Sequence, residues 1–595
     1  MRARSGSVED VDEGRRLSAL DLVGLAAGGV VGSGWLLAAG QAHWAAGRDA
    51  VWAWVIGGAL MLLIAAVMVE LGIAAPKTGG LIFLPLQAAG PLVATVVAAA
   101  LWIVYAVNPA SEAAAMVRGL SHWFPSLLRS GHAGADVGGL SPHGMEHAYD
   151  LSVAGALFAV VLMVAIVGFN LLPARRLIRL NLFITIVKVL VPLLIIGCLT
   201  LAATNTVRGC APDQVWYLSG QSGSAQHLRG QAGQFSPLYV VLGGGIIYAY
   251  IGFQAPLDFA GNVKRRGMGE AARLRWAVYG TLVGAVALYT ALQYVFSRHC
   301  GSLTADMLQS PYAQFATAAS MTWLAWLIRL NAVLSPLGSG IVFTHALTRE
   351  VAALSRAHLT HRGLQTARRA SFRFRGGEID AYWMILIVNL VIGLASLAVV
   401  RGNWEELVAL NSVPIMVVYA MPGVVLVALP GADVTGLRRA VHWSLAYCAF
   451  VSIAVVLHEA GWADVWRGMA GVGIGSALLL ALPWLAVRDL PYVGRMLRHY
   501  DAREHLSRLT RRGDPAVPPL LLLAGHLCVL LICTALHDAF RDDIVTVTRS
   551  ASVLSAVVVF PLLVRAARRY MKEVRPTLPT RHDERSAPPR ISART

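Results

Sequence analysis

The chain has 595 residues, of which 56% are hydrophobic and only 14% charged, and its mean hydropathy is +0.60. Soluble domains carry about 25% charged residues, so a water-soluble globular protein is excluded. The formal charge of +17 would suggest nucleic acid in a soluble chain, but here the Lys and Arg fall between apolar blocks and no nucleic acid partner is implied.

A bilayer core about 30 Å thick takes about 20 apolar residues per helix, and only helices or closed barrels satisfy their backbone groups in lipid. The apolar blocks are too long for barrel strands. The expected fold is an all-α polytopic membrane protein with about fourteen transmembrane helices. In chain order the predicted spans are 21–41, 51–74, 92–117, 151–171, 181–203, 238–261, 276–297, 321–347, 381–400, 407–429, 441–458, 466–487, 517–536 and 550–567. They divide the chain into a tail (1–20), a ten-helix core (21–430), four additional helices (431–567) and a basic tail (568–595) that reads as disordered. Residues 1–19 are polar and charged, so the first apolar block reads as a span and not as a cleavable signal peptide.

Span 1 contains Ala27-Gly28-Gly29-Val30-Val31-Gly32-Ser33-Gly34-Trp35, a glycine-rich stretch that weakens a helix at mid-membrane. Span 2 ends on Glu70, placed for a gating or interfacial role. Span 3 carries Glu112, which could bind substrate, carry a proton or lean outward toward Arg118. The following loop holds His122, His132, His143 and His147, but no Cys or tight acid cluster joins them. A metal site takes about four ligands, so a solvated loop and no metal are expected.

Lys188 lies in span 5, about 12 Å from the nearer membrane face by helix rise, which is deep for a snorkelling lysine. Desolvation disfavours its charged form, so it can bind and lose a proton. Span 6 repeats the interruption of span 1: Gly243-Gly244-Gly245, then Tyr250-Ile251-Gly252-Phe253-Gln254-Ala255-Pro256. Asp258 lies just past that break, either as a binding group or as an acid in a watery vestibule. Phe253 is placed to close over a ligand or to pack in the core. Span 8 holds Arg329, a candidate to balance Glu112 or an acidic ligand, and Ser335-Pro336. Loop 488–516 reads equally as a surface amphipathic helix or a solvated loop. Cys210 and Cys300 fall in loops on one side, where they either bridge or stay free.

Most of the 50 Lys and Arg fall on alternate loops, such as Arg175-Arg176, Lys264-Arg265-Arg266 and the Arg-rich stretch 349–375. The positive-inside rule then places both termini in the cytoplasm, in a multi-pass protein of the cell (inner) membrane. The loops at about 118–150 and 203–237 are too short for an enzyme domain. No phosphate-cradling loop with its Lys-Ser/Thr is present, and Ser33 has no His and Asp at readable spacing, so no enzyme activity is expected.

Spans 1 and 6 open two successive five-helix units. Gly/Pro-interrupted segments at corresponding positions point to inverted repeats with a ligand site at the breaks. The half-helix whose N-terminal N–H groups are freed is partially positive and suits a carboxylate, while freed carbonyls can receive an ammonium.

Gly32-Ser33-Gly34-Trp35-Leu36, Glu70-Leu71-Gly72 and Pro76-Lys77-Thr78-Gly79-Gly80 resemble the start of amino acid–polyamine–organocation superfamily permeases, and Gln254, Pro256 and Ser335-Pro336 fit. The Gly-Ser-Gly-Trp-Leu form is similar to a subgroup that includes bacterial aspartate:proton symporters. The resemblance covers roughly residues 17–430. It departs where relatives carry Glu and then Lys-Asn-Pro after span 6: here stand Asn262 and Lys264-Arg265-Arg266.

The resemblance implies a 5+5 inverted-repeat core with discontinuous helices 1 and 6, four extra helices beside it, and proton-coupled secondary transport of amino acids by alternating access. Substrate would meet Val31, Gly32, Ser33, Gly34, Gly252, Phe253, Gln254, Glu112 and Asp258. Lys188, with Ser335, would serve proton coupling, since Lys188 stands where sodium sits in other members. The proton is the coupling ion, and no other cofactor is expected. Rival readings are a polyamine or organic cation transporter, an amino acid exchanger, and a non-transporting membrane sensor.

Overall fold

The computed structural model describes residues 19–75, 80–129, 150–172, 174–203, 237–258, 269–299, 310–356, 359–360, 364, 368–374, 377–429, 436–485, 508–509, 511, 513–540 and 544–574. The span 1 segment is two helices, α1 (Ala19–Val30) and α2 (Gly34–Ala46), bent by 41° across Val31-Gly32-Ser33. Then come α3 (Ala50–Ala74), α4 (Gly80–Ala89), α5 (Pro91–Leu120), α6 (Val153–Phe169) and α7 (Ala174–Ala203). Span 6 is broken into α8 (Pro237–Gly243), α9 (Ile246–Tyr250) and α10 (Ala255–Asp258). The core continues with α11 (Glu270–His299), α12 (Pro311–Ala318), α13 (Thr322–Arg356), the antiparallel hairpin β1 (Arg368–Phe374) and β2 (Gly377–Ala381), α14 (Trp383–Val399) and α15 (Trp404–Ala428). The last four helices are α16 (Gly436–Glu459), α17 (Trp462–Leu485), α18 (Val517–Phe540) and α19 (Val545–Val574).

All fourteen predicted segments therefore carry helix. Among the described residues nine helices are long and apolar enough to cross a membrane, or ten with the bent α1–α2 pair. Helices α6 and α14 reach only 17 residues, and the α8–α10 segment is in pieces. Helices α4 and α12 were not anticipated, because runs of 10 and 8 residues are too short to register as spans. The Arg-rich stretch 349–375 holds the end of α13 and strand β1, not only loop. Helix α19 runs to Val574, so residues 568–574 are ordered helix where a disordered tail was expected. Residues 1–18, loop residues 130–149 and 204–236, Asn262 to Arg266, Cys210, Cys300, most of 488–516 and residues 575–595 lie outside the described residues, as do the histidines His132, His143 and His147.

Local chemistry starts these helices. Pro91 opens α5 behind Gly90, whose φ of +93° turns the chain out of α4; proline suits a first helical turn because its missing N–H is not needed there. The Ser152 side chain accepts from Gly155 N–H at the head of α6, and Asn403 accepts from Glu406 N–H at the head of α15. Each satisfies a donor the helix cannot.

Helices α5 and α15 are almost wholly buried. α5 packs on α13, α15 and α17, while α1 packs on α7 and α11. Around this centre the outer helices turn large apolar side chains outward, for example Leu157, Val161 and Val164 on α6 and Phe183, Ile186 and Leu190 on α7. At helical spacing such a stripe is suited to lipid and unsuited to water. One buried apolar cluster runs from Val30 to Met571. The last four helices thus share the core's packing: α16 lies on α3 and α15, α17 on α5, and α19 on α4.

Candidate functional site

Three residues, Val31 to Ser33, lie between α1 and α2. Five successive carbonyls at the end of α1 and in the break each receive a side-chain hydrogen bond. Lys188 Nζ donates to Gly28 at 2.6 Å, Ser339 Oγ to Gly29 at 3.2 Å and Tyr289 Oη to Val30 at 3.1 Å. Ser335 Oγ lies 3.1 and 2.9 Å from the carbonyls of Val31 and Gly32, and itself accepts from Trp35 Nε1. A buried carbonyl left without a donor costs about 1–3 kcal/mol, so α7, α11 and α13 each contribute a donor that makes the break tenable.

The amide side of the break is held by one carboxylate. Ser33 N–H, at the head of α2, donates to Glu112 Oε2 at 3.0 Å, and Tyr248 Oη donates to Oε1 at 3.0 Å. Ser339 approaches the same carboxylate, and Lys188 is near enough to act on it electrostatically. Glu112 is 1% exposed and Lys188 fully buried. Gly32 is required here: a Cβ at that position would stand 2.5 Å from Glu112 Oε1. Behind Glu112, Asn108 Nδ2 donates to Tyr248 Oη and Asn411 Nδ2 to Ser111 Oγ. Trp404 Nε1 donates to Ser33 Oγ.

The second break packs on the first. Gly252 has φ +119°, and a Cβ on it would fall 2.5 Å from the Gly29 carbonyl carbon. The Gln254 side chain folds back to accept from Gly252 N–H at 2.9 Å and is held by Tyr105 and Tyr419 hydroxyls. Phe253 is fully buried with its ring 5.6 Å from Tyr419.

The expected residues Val31, Gly32, Ser33, Gly34, Glu112, Lys188 and Ser335 thus converge at the first break, and Gly252, Phe253 and Gln254 form the second. Asp258 ends α10, and its side chain lies outside the described residues. Two expectations are corrected. The carbonyls of the first break are not free for an ammonium; side chains already bind them. Glu112 neither leans toward Arg118 nor pairs with Arg329: it binds Ser33 and Tyr248, while Arg118 Nη1 binds Glu405 Oε1 at 2.7 Å. Glu70, at the end of α3, sits among Arg275 (2.7 Å), Arg438 (3.4 Å) and His442 (3.5 Å), joining α3, α11 and α16. Sequence reasoning missed Asn108, Tyr248, Tyr289, Ser339, Trp404 and Asn411. Helical spacing would have reached two of them, since Asn108 and Ser339 stand one turn from Glu112 and Ser335. No group of three or more His, Cys, Asp or Glu suited to a metal occurs among the described residues.

Residues 17–479 match the model of a family described as amino acid permease, so the match continues past residue 430 into α16 and α17. An aspartate-proton symporter of Bacillus subtilis (strain 168) is 25% identical over 79% of this chain and 83% of its own length. A glutamate/serine transporter of the same organism, AimA, is 27% identical over 68% of this chain and 69% of its own. Crystal structures of a manganese transporter from Eremococcus coleocola superpose with a TM-score of 0.47 at 14% identity, covering 83% of this chain and 99% of that one.

Proposed function

Because this chain belongs to the amino acid permease family and is a secondary transporter of amino acids, we propose that it couples their movement to protons through the groups gathered at the break between α1 and α2. The observation that carries this reading is Lys188: a fully buried amine bonded at 2.6 Å to the carbonyl of Gly28. An amine in that place ties α7 to the moving segment when protonated and releases it when not. Glu112 stands on the other side of the break at the Ser33 N–H, and Ser335 ties α13 to the same segment. Substrate meets Val31 to Gly34 and Gly252 to Gln254, with Glu112 and Asp258 beside them, and the two halves rock to expose the site alternately.

Both termini face the cytoplasm, following the Lys and Arg distribution. The Arg118–Glu405 pair, which Gln41 Nε2 joins at 2.9 Å, then lies on the outer side of the break, and the Glu70 cluster on the inner side. Together they describe closures at either end. The rival organic cation reading finds less support, because the buried Glu112 carboxylate is already bound by Ser33 and Tyr248.

Uptake of labelled amino acids into proteoliposomes, with and without an inward proton gradient, tests the reading. Wild type should accumulate substrate only with the gradient, and Lys188→Ala should lose that dependence. Uptake by wild type that ignores the gradient, or that requires amino acid loaded inside, would make this a facilitator or an exchanger. No uptake by folded protein would leave the organic cation reading and then the sensor reading.

A further inference from the structure

The amide that the function assigns to a substrate carboxylate is already occupied by one. Glu112 Oε2 takes the Ser33 N–H at 3.0 Å, and Tyr248 Oη donates to Oε1 at 3.0 Å. The carbonyls that would take an ammonium are occupied too, by Lys188, Ser339, Tyr289 and Ser335. Yet two buried amide oxygens behind Glu112, Asn108 Oδ1 and Asn411 Oδ1, have no hydrogen-bond donor among the described residues, though Asn108 is 2% and Asn411 0% exposed. Buried acceptors without donors are costly and rare, and these two suit an ammonium group.

Resting on the permease reading, we propose that Glu112 is a tethered stand-in for the substrate carboxylate, holding the amide at the head of α2 while the site is empty and yielding it to the substrate by taking up a proton. Two carboxylates cannot share one buried amide with both ionised, because like charges in a water-poor site repel strongly. The incoming carboxylate therefore takes Ser33 N–H, and a proton from bulk water forms an O–H bond on Glu112, leaving no unpaired anion. The substrate ammonium then meets Asn108 Oδ1 and Asn411 Oδ1.

The charged and titratable groups facing Glu112 are Tyr248 on α9, Lys188 on α7 and Tyr289 on α11, with the hydroxyls of Ser33 and Ser339 beside them. Lys188 is the cation that keeps the empty site neutral. Binding thus carries a proton with it, and substrate occupancy gates protonation, as symport requires.

The test begins with full-length wild-type protein in weakly buffered detergent solution, with alanine, serine, aspartate and glutamate as probes. Binding measured by calorimetry should take up about one proton per substrate, and affinity should rise as pH falls, by about tenfold per unit where Glu112 is ionised in the empty protein. Glu112→Gln, neutral and of the same shape, should bind with no proton uptake and a flat pH profile; Glu112→Asp should restore both. Wild-type binding without proton uptake would overturn the proposal, as would proton uptake that survives in Glu112→Gln but vanishes in Lys188→Met. Should Glu112→Gln fail to fold, the wild-type proton count still decides. Absence of binding by any of the four probes would instead remove the permease reading beneath it.

Discussion

At the residue scale, what distinguishes this site is that the carbonyls from Gly28 to Gly32 and the Ser33 N–H are bound by side chains from other helices. Lys188 was legible from the sequence because an ionisable residue deep in a span is expensive and marks a function. Its partner was not legible: nothing in the primary sequence joins residue 188 to the carbonyl of Gly28. Phe253 is buried and packs on Tyr419. Gly252 gives a sharp prediction at this scale. With φ at +119° and the Gly29 carbonyl carbon 2.5 Å from any added Cβ, Gly252→Ala should cost upward of about 1–3 kcal/mol from backbone strain alone. A large fall in melting temperature by fluorescence-detected size exclusion, with loss of uptake, is expected. Gly284→Ala, where a Cβ would meet nothing within 4 Å, is the control and should be close to neutral.

At the element scale, the two broken segments depend on each other. Helix α1 and the break between α9 and α10 approach through the backbones of Gly29 and Gly252, so neither can shift without the other. Helix α15 supplies the clasp at one end: Glu405, in its first turn, binds Arg118 of α5 and Gln41 of α2. The Arg118 side chain is 2% exposed, and removing one partner of such a pair typically costs about 3–5 kcal/mol. If this clasp closes the path to the break, Arg118→Ala should open it. In a cysteine-free background, labelling of Ser33→Cys by an impermeant thiol reagent should rise several-fold in the Arg118→Ala variant. Unchanged labelling would mean that the clasp only braces α5 against α15.

At the scale of the whole molecule, the last four helices are part of the packing and not an appendage. Glu70 of α3 binds Arg438 and His442 of α16, and the buried cluster is continuous into α19. At the opposite end of α16, Arg549 makes two bonds to Glu459, 2.7 and 3.1 Å long, which fasten α19 to α16. A chain ending at residue 435 would expose the faces of α3, α4, α5 and α15 that these helices cover. It should elute as aggregate where the full chain is monodisperse, and a monodisperse truncated protein would show that the core stands alone.

The sequence by itself determined the membrane class, the helical segments, both interruptions and the family resemblance. Each rests on short-range physics: apolar run length against bilayer thickness, glycine and proline against helix continuity. It also marked Glu112 and Lys188, because ionisable side chains inside spans stand out against their neighbours, while Ser335 was marked by the family resemblance. Only the tertiary structure decided what those side chains bind. Asn108, Tyr248, Tyr289 and Asn411 are unremarkable in their own helices and acquire meaning through contacts across well over a hundred residues of sequence. The same holds for the occupied carbonyls of the break. A free backbone group is a local property, but the donor that satisfies it comes from another helix, and no local pattern encodes which one.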